Sequence, residues 1–278
     1  MKHSLFKPSP QGSRLLIRKM SFTATGILFI FLLKNVESGF RFQIIHGYDT
    51  AIKNHPHQAS YHSQNVFVCG ASVLSEKYVL TAAHCTEQYR RDVTVRVGSS
   101  FYNKDGVVIA VAEIFQHPGF DLISYNNDFS VLLLEQELAF SDSIKPVYLP
   151  NDNEIIPTGT ECKISGFGVK AENSMTASEQ LQATDVIVVD HAKCAESYIA
   201  SPLFFEITEQ MICAADADPE SSKDNRDSCS GDSGGAIICS GYQVGVISAG
   251  NGCGRENFPG IYASVAQGRG WIRDITGI

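Results

Sequence analysis

Three short segments carry residue types that could do chemistry together: Gly231-Asp232-Ser233-Gly234-Gly235, Thr81-Ala82-Ala83-His84-Cys85 and Asn126-Asn127-Asp128. A serine hydroxyl is a weak nucleophile at neutral pH. It reacts when an imidazole takes its proton, and that imidazole needs a carboxylate to fix its tautomer and stabilise its charged form. Ser233, His84 and Asp128 supply those three groups. Glycines 231, 234 and 235 let the backbone turn tightly and bring amide N–H groups to a developing oxyanion. The chemistry open to such a set is acyl transfer.

Chain order narrows the choice. Gly231 to Gly235 also fits the Gly-x-Ser-x-Gly pattern of α/β-hydrolases, in which the histidine follows the serine. The last histidine of this chain is His191, so nothing after Ser233 could act as its base.

The elements that must hold these residues are strands in texture. Val93 to Val97 alternates at period two, Gly106 to Phe115 is rich in Val and Ile, and Phe129 to Leu134 is a continuous apolar run. Gln182 to Asp190, Ala236 to Cys239, Tyr242 to Ser248 and Gly260 to Val265 repeat the pattern between Gly- or Pro-bearing turns. Many short strands indicate barrels or sandwiches. Two segments read as helix, His191 to Ile199 and Gln267 to Ile275, the second with Trp271 and Ile275 on one face.

Composition sets the class. Of 278 residues, the first 43 differ from the rest: basic residues precede an apolar run from Phe22 to Leu33, too short for the ~20 residues of a membrane span. That layout reads as a secretory signal peptide over 1–38, cleaved near Ser38, with Met1 or Met20 as its start. Residues 1–43 hold seven of the 22 basic and one of the 30 acidic side chains, so the remainder carries 15 against 29, a formal −14. Phosphate binding needs clustered positive charge, which excludes nucleic acid as an expected partner. Eight cysteines, at 69, 85, 162, 194, 213, 229, 239 and 253, all follow the leader, an even count that argues for disulfides in an oxidising compartment. There is no Cys-x-x-Cys pair to suggest zinc.

At its motifs the chain resembles the chymotrypsin/trypsin family of serine proteases. The resemblance runs from Ile44 to Ile278. It is carried by Ile44-Ile45-His46-Gly47, by Leu80 to Cys85, by Asn127 to Leu132, by Cys162 to Gly168 and by Pro259-Gly260-Ile261-Tyr262, in that order. It implies an all-β fold of two six-stranded antiparallel barrels, about 44–150 and 151–278, with the active site in the cleft between them and a C-terminal helix. It implies His84, Asp128 and Ser233 as catalytic residues and the Gly231 and Ser233 amides as the oxyanion hole. It implies the disulfides Cys69–Cys85, Cys162–Cys239, Cys194–Cys213 and Cys229–Cys253. Asp227, six residues before Ser233, stands where the family places the floor of its primary pocket, and Gly250 and Gly260 stand at the two wall positions. Together they imply cleavage after Arg or Lys.

The resemblance further implies a zymogen in which 39–43 is an activation peptide and a new N-terminus at Ile44 pairs with Asp232. Gln43 departs from the Lys or Arg of trypsinogens, although Arg41 lies two residues upstream. Ala249 and Phe167 replace aromatic landmarks, and the loop after Gly98 lacks the paired glutamates of calcium-binding relatives. The expectation is a secreted, monomeric endopeptidase with no cofactor, no metal and no membrane attachment after processing. Its expected partners are protein or peptide substrates, protease inhibitors and an activating protease. The alternatives are a catalytically silent binding module and a protease of altered specificity.

Overall fold

The computed structural model describes residues 44–199, 206–216 and 225–278. The expected leader, activation peptide and part of the acidic loop around Asp218, Glu220 and Asp224 lie outside the described residues. The chain begins with a two-residue strand β1 (Tyr48–Asp49). The first barrel follows: β2 (Gln58–Ser63), β3 (Val66–Val73), β4 (Tyr78–Thr81), a short helix α1 (Ala83–Gln88), β5 (Val93–Val97), β6 (Val107–Gln116) and β7 (Ser130–Leu134). Its strands close in the order β2-β3-β4-β7-β6-β5, all neighbours antiparallel.

The second barrel is built from β8 (Glu161–Gly166), β9 (Gln182–Val188), helix α2 (His191–Ile199), β10 (Met211–Asp216), β11 (Ala236–Cys239), β12 (Tyr242–Ala249) and β13 (Gly260–Ser264). It runs β9-β10-β13-β12-β11-β8 and closes through β8–β9, with β1 added on β9. The chain ends in helix α3 (Val265–Thr276). The expected architecture of two six-stranded antiparallel barrels and a C-terminal helix is therefore the one observed.

Side-chain alternation explains both barrels. Val93, Val95 and Val97 of β5 point inward and are buried, while Thr94 and Arg96 between them are half-buried. In β7 the run Ser130, Val131, Leu132 is wholly buried, as a strand covered on both faces requires. Val246, Ala263, Val265 and Ile272 join the first barrel's core, so α3 and the β12–β13 pair seal that barrel. A Cβ on Gly268 of α3 would lie 2.7 Å from the ring of Phe129, and only glycine lets the helix approach the residue after Asp128 so closely. The helix starts at Val265, two residues earlier than read from sequence. Val265 ends the apolar strand run by composition but is the first helical residue in fact. Among the described residues no helix is long and apolar enough to cross a membrane.

The crossing from β1 to β2 carries buried histidines. Burial, and secondarily Lys163, pulls His55 down to about 4. Burial likewise holds His57 at about 4, and its Nε2 has no partner among the described residues. The unfolded chain binds a proton at His55 near pH 6.5 whereas the folded chain resists until about 4, so stability falls as pH drops through that window and is unaffected above it. His55→Gln is expected to remove on the order of 1.4 kcal/mol per pH unit from that slope. Urea unfolding at a series of pH values checks this, and parallel curves for the two proteins would contradict it.

Candidate active site

His84 sits in the first turn of α1, directly after β4. The Cys69–Cys85 disulfide ties that turn to β3. Thr86 and Ser130 share a hydroxyl hydrogen bond of 2.6 Å that pins α1 to β7. Asp128 is fully buried just before β7 and accepts three hydrogen bonds. The His84 backbone N–H reaches Oδ1 at 2.8 Å, His84 Nδ1 reaches Oδ2 at 2.7 Å, and the Ser248 hydroxyl reaches Oδ2 at 2.6 Å. A carboxylate only accepts, so Nδ1 carries the proton and Nε2 is left with a lone pair. That is the tautomer a general base needs.

Ser233 and His84 line one cavity of about 380 Å³ together with Gly231. The serine segment is clamped by backbone bonds. Gly70 N–H donates to Ser233 O (2.8 Å), Gly234 N–H to Ile247 O (2.8 Å), and Asp232 N–H to Cys229 O (2.9 Å). Among the described residues no backbone acceptor takes the N–H of Gly231 or of Ser233. Gly231 and Gly234 both have positive φ, +95° and +82°. A Cβ on Gly234 would lie 2.2 Å from Thr81 Oγ1 and 2.5 Å from Gly70 O, so this turn requires glycine.

Ser233 also lines a second cavity, of about 270 Å³, together with Ser248, Gly250 and Asp227. Asp227 is buried. Its Oδ1 accepts the Ser228 N–H at 2.8 Å and its Oδ2 the Gly254 N–H at 2.9 Å. Burial pushes its carboxyl up to about 7, and the nearby charge of Asp232 adds to the shift. Gly260 is not on this cavity's lining. It stands beside the acid itself, where a Cβ would come within 2.8 Å of Asp227 Oδ1.

Residues 44–272 match the family profile described as Trypsin. Trypsin 5G1 of Aedes aegypti is 35% identical over 85% of this chain and 86% of its own length. Trypsin alpha of Drosophila erecta is 37% identical over 83% and 86%, and Trypsin alpha of Drosophila melanogaster is 36% identical over the same shares. The chain belongs to the trypsin family. It is a trypsin-like serine protease.

Other features of this trypsin-family chain emerge only in three dimensions. Asp232 is fully buried, and its carboxylate takes the N–H of Gly168 (2.8 Å) and of Cys229 (3.0 Å). Burial lifts it to about 6. Gly166 and Gly168 make room for it, since a Cβ on either would lie 2.1 or 2.4 Å from its oxygens. Ile44 is buried in the second barrel's core with Ile164, Val186 and Ile237. Its nitrogen is still in a peptide bond to Gln43, and among the described residues no ion pair reaches Asp232. The remaining disulfides join Cys162 to Cys239, Cys194 to Cys213 and Cys229 to Cys253.

Sequence reasoning missed two side chains beside His84 and Asp128. Ser248 was visible only as a neighbour of Gly250, because nothing along the chain links it to Asp128, 120 residues away. Tyr125 has its ring centroid 5.5 Å from that of His84 and packs, like Ala249, on the Cys194–Tyr198 cluster. Its position three residues before Asp128 was the available signal. Its φ is positive, +56°, which is unusual for an aromatic residue. Ser248→Ala takes one of three donors from Asp128 and is expected to lower kcat by about tenfold with KM little changed. Steady-state kinetics checks this, and an unaltered kcat would remove Ser248 from the machinery.

Proposed function

We propose that this trypsin-family protease hydrolyses peptide bonds after Arg or Lys through an acyl-enzyme. The observation that carries the specificity is Asp227, a buried acid that lines the same cavity as Ser233. A carboxylate so placed is costly to desolvate until a cation pairs with it, so the pocket selects a guanidinium or ammonium. Ser233 attacks the carbonyl of that residue while His84 Nε2 takes its proton and passes it to the leaving amine. Asp128 holds the imidazole and stabilises its charged form. The Gly231 and Ser233 amides receive the oxyanion, and water repeats the sequence to release the acid.

Activation follows from Asp232. Cutting before Ile44 would create an ammonium, and a buried acid that gains such a partner is relieved of a penalty of about 3–5 kcal/mol. Gln43 precedes the bond, so a trypsin-like activator would cut after Arg41 and Phe42-Gln43 would then be removed, or a processing enzyme that accepts glutamine would cut directly. The basic, then apolar leader supports secretion as a zymogen, with 39–43 as the activation peptide. Protein substrates, protein inhibitors and an activating protease are the partners of a monomer with no cofactor.

A fluorophosphonate, which phosphonylates only an activated serine, tests this reading. Protein engineered to begin at Ile44 is expected to take one label, mapped to Ser233 by mass spectrometry, and protein that retains Gln43 to label at least a hundredfold more slowly. Equal labelling of both would overturn the Ile44 switch, and no labelling of either would overturn the protease.

A further inference from the structure

The far side of the catalytic cavity leads to a second, charged seat. Val66, Phe67, Val68 and Tyr89 line the 380 Å³ cavity on the side away from the Asp227 pocket. Phe67 is its fixed point. It stacks on Tyr102 at 4.8 Å, meets Phe167 edge-on at 6.1 Å, and would touch a Cβ on Gly231 at 3.3 Å. Phe67 also lines a separate cavity of about 170 Å³, whose other walls include His62, Asn65, Thr94, Arg96 and Asn103. One aromatic ring thus divides the catalytic cavity from a small polar one.

Arg96 is the one formal charge in that lining at neutral pH. Its Nη1 donates to the Asp105 carbonyl at 2.5 Å, which holds the guanidinium in place, while its Nε is buried with no acceptor among the described residues. His62 adds no charge, because burial first and Arg96 second keep its imidazole near 4, and its Nε2 is engaged with Ser60 Oγ at 2.9 Å. The Arg96 side chain is half-buried and pairs with no carboxylate among the described residues, and a planar carboxylate is the group that satisfies a guanidinium best. Residues 44–278 carry a formal −14 with Arg96 included, so an acidic peptide would find little else to hold it.

We propose that this cavity is an anchoring site for an acidic side chain in the segment of substrate that follows the cleaved bond, the chain passing over Phe67 to place a carboxylate on Arg96. The proposal rests on the protease reading above, and its occupant is chosen by charge. The apolar wall before Phe67 takes the residues nearest the bond, and Arg96 takes the acid beyond them.

The test uses quenched-fluorescent peptides with a single Arg and one Glu, moved from the second to the sixth position after it, each matched by a Gln peptide. With protein that begins at Ile44, Glu at one position is expected to raise kcat/KM about tenfold over Gln, and the gain to vanish in Arg96→Gln and in high salt. A short Arg amide with nothing after the bond is expected to be cleaved equally by both proteins, which separates this site from the catalytic machinery. Glu and Gln peptides within twofold at all five positions would overturn the proposal, as would a gain that survives in Arg96→Gln. Should the short amide not be cleaved at all, the protease reading fails instead. The anchoring site is then read by fluorescence anisotropy of the same peptides on the Ser233→Ala protein, where Glu must still bind tighter than Gln.

Discussion

Replacing Ser233 by Ala in protein that begins at Ile44 is expected to lower kcat on an Arg amide by ~10⁴-fold or more. The reason lies in how much of the surrounding structure serves that one oxygen. The serine turn is held by bonds from Gly70, Gly234 and Asp232, and two N–H groups beside it are kept unspent. Removing the Ser233 hydroxyl leaves this scaffold and the cavity lined by Asp227 intact, so the affinity for a small amidinium inhibitor should stay within about twofold, well under 1 kcal/mol. His84→Ala is expected to cost about as much, and the double variant no more, because the two residues act as one unit. Asp128→Asn has its own signature. An amide would present a donor to one of three donors that now converge on the carboxylate, forcing the wrong tautomer on His84 with a loss of about 10⁴-fold. Kinetics on purified variants, with circular dichroism to confirm folding, reads all three. Independent, additive losses would contradict the proposed roles.

The second large effect is at the pocket floor. Asp227→Ser is expected to reduce kcat/KM for Arg and Lys amides by about 10²–10⁴-fold, corresponding to the roughly 3–5 kcal/mol of leaving a buried cation without its partner. Phe and Leu amides, which gain nothing from the carboxylate, should be unchanged or improved. The same acid predicts a pH dependence whose sign follows from its burial. With its carboxyl held up at about 7, Asp227 in the empty pocket becomes neutral as pH falls through that value, and its attraction for a cation is lost below it. Amidinium binding to a Ser233→Ala, His84→Ala double variant should therefore weaken from pH 8 to pH 6, and Asp227→Asn should flatten that curve. A curve that falls equally in Asp227→Asn would place the titrating group elsewhere.

Much of the fold could be read along the chain, because strands with one buried face alternate visibly. Val93-Thr94-Val95-Arg96-Val97 is the clearest case, and β7 and β12 are close to their expected extents. What escaped had physical reasons. Helix α1 has six residues, too few to display a 3.6-residue period, and β1 has two. Val265 sits at the joint of β13 and α3, where an apolar residue serves either element. The barrels' closure came through the resemblance, since strand texture alone does not distinguish a barrel from a sandwich, and their strand order was not read from sequence at all.

The site divides along the same line. Ser233, His84, Asp128 and Asp227 lie in motifs with fixed local spacing, so they could be named without coordinates. Ser248, Tyr125 and Phe67 act through space. Each is an ordinary strand or loop residue until the fold brings it to Asp128, to His84 or to Gly231. Gly260 was read as a wall of the pocket, and it stands beside the carboxylate, where its missing Cβ protects Asp227 Oδ1.

The most direct test of the account is hydrolysis of matched Arg, Lys, Phe and Ala amides by protein that begins at Ile44, with Ser233→Ala alongside. The account predicts turnover after Arg and Lys at least a hundredfold faster than after Phe or Ala, and none in Ser233→Ala. A folded protein that cleaves none of the four, or that prefers Phe or Ala, would contradict it.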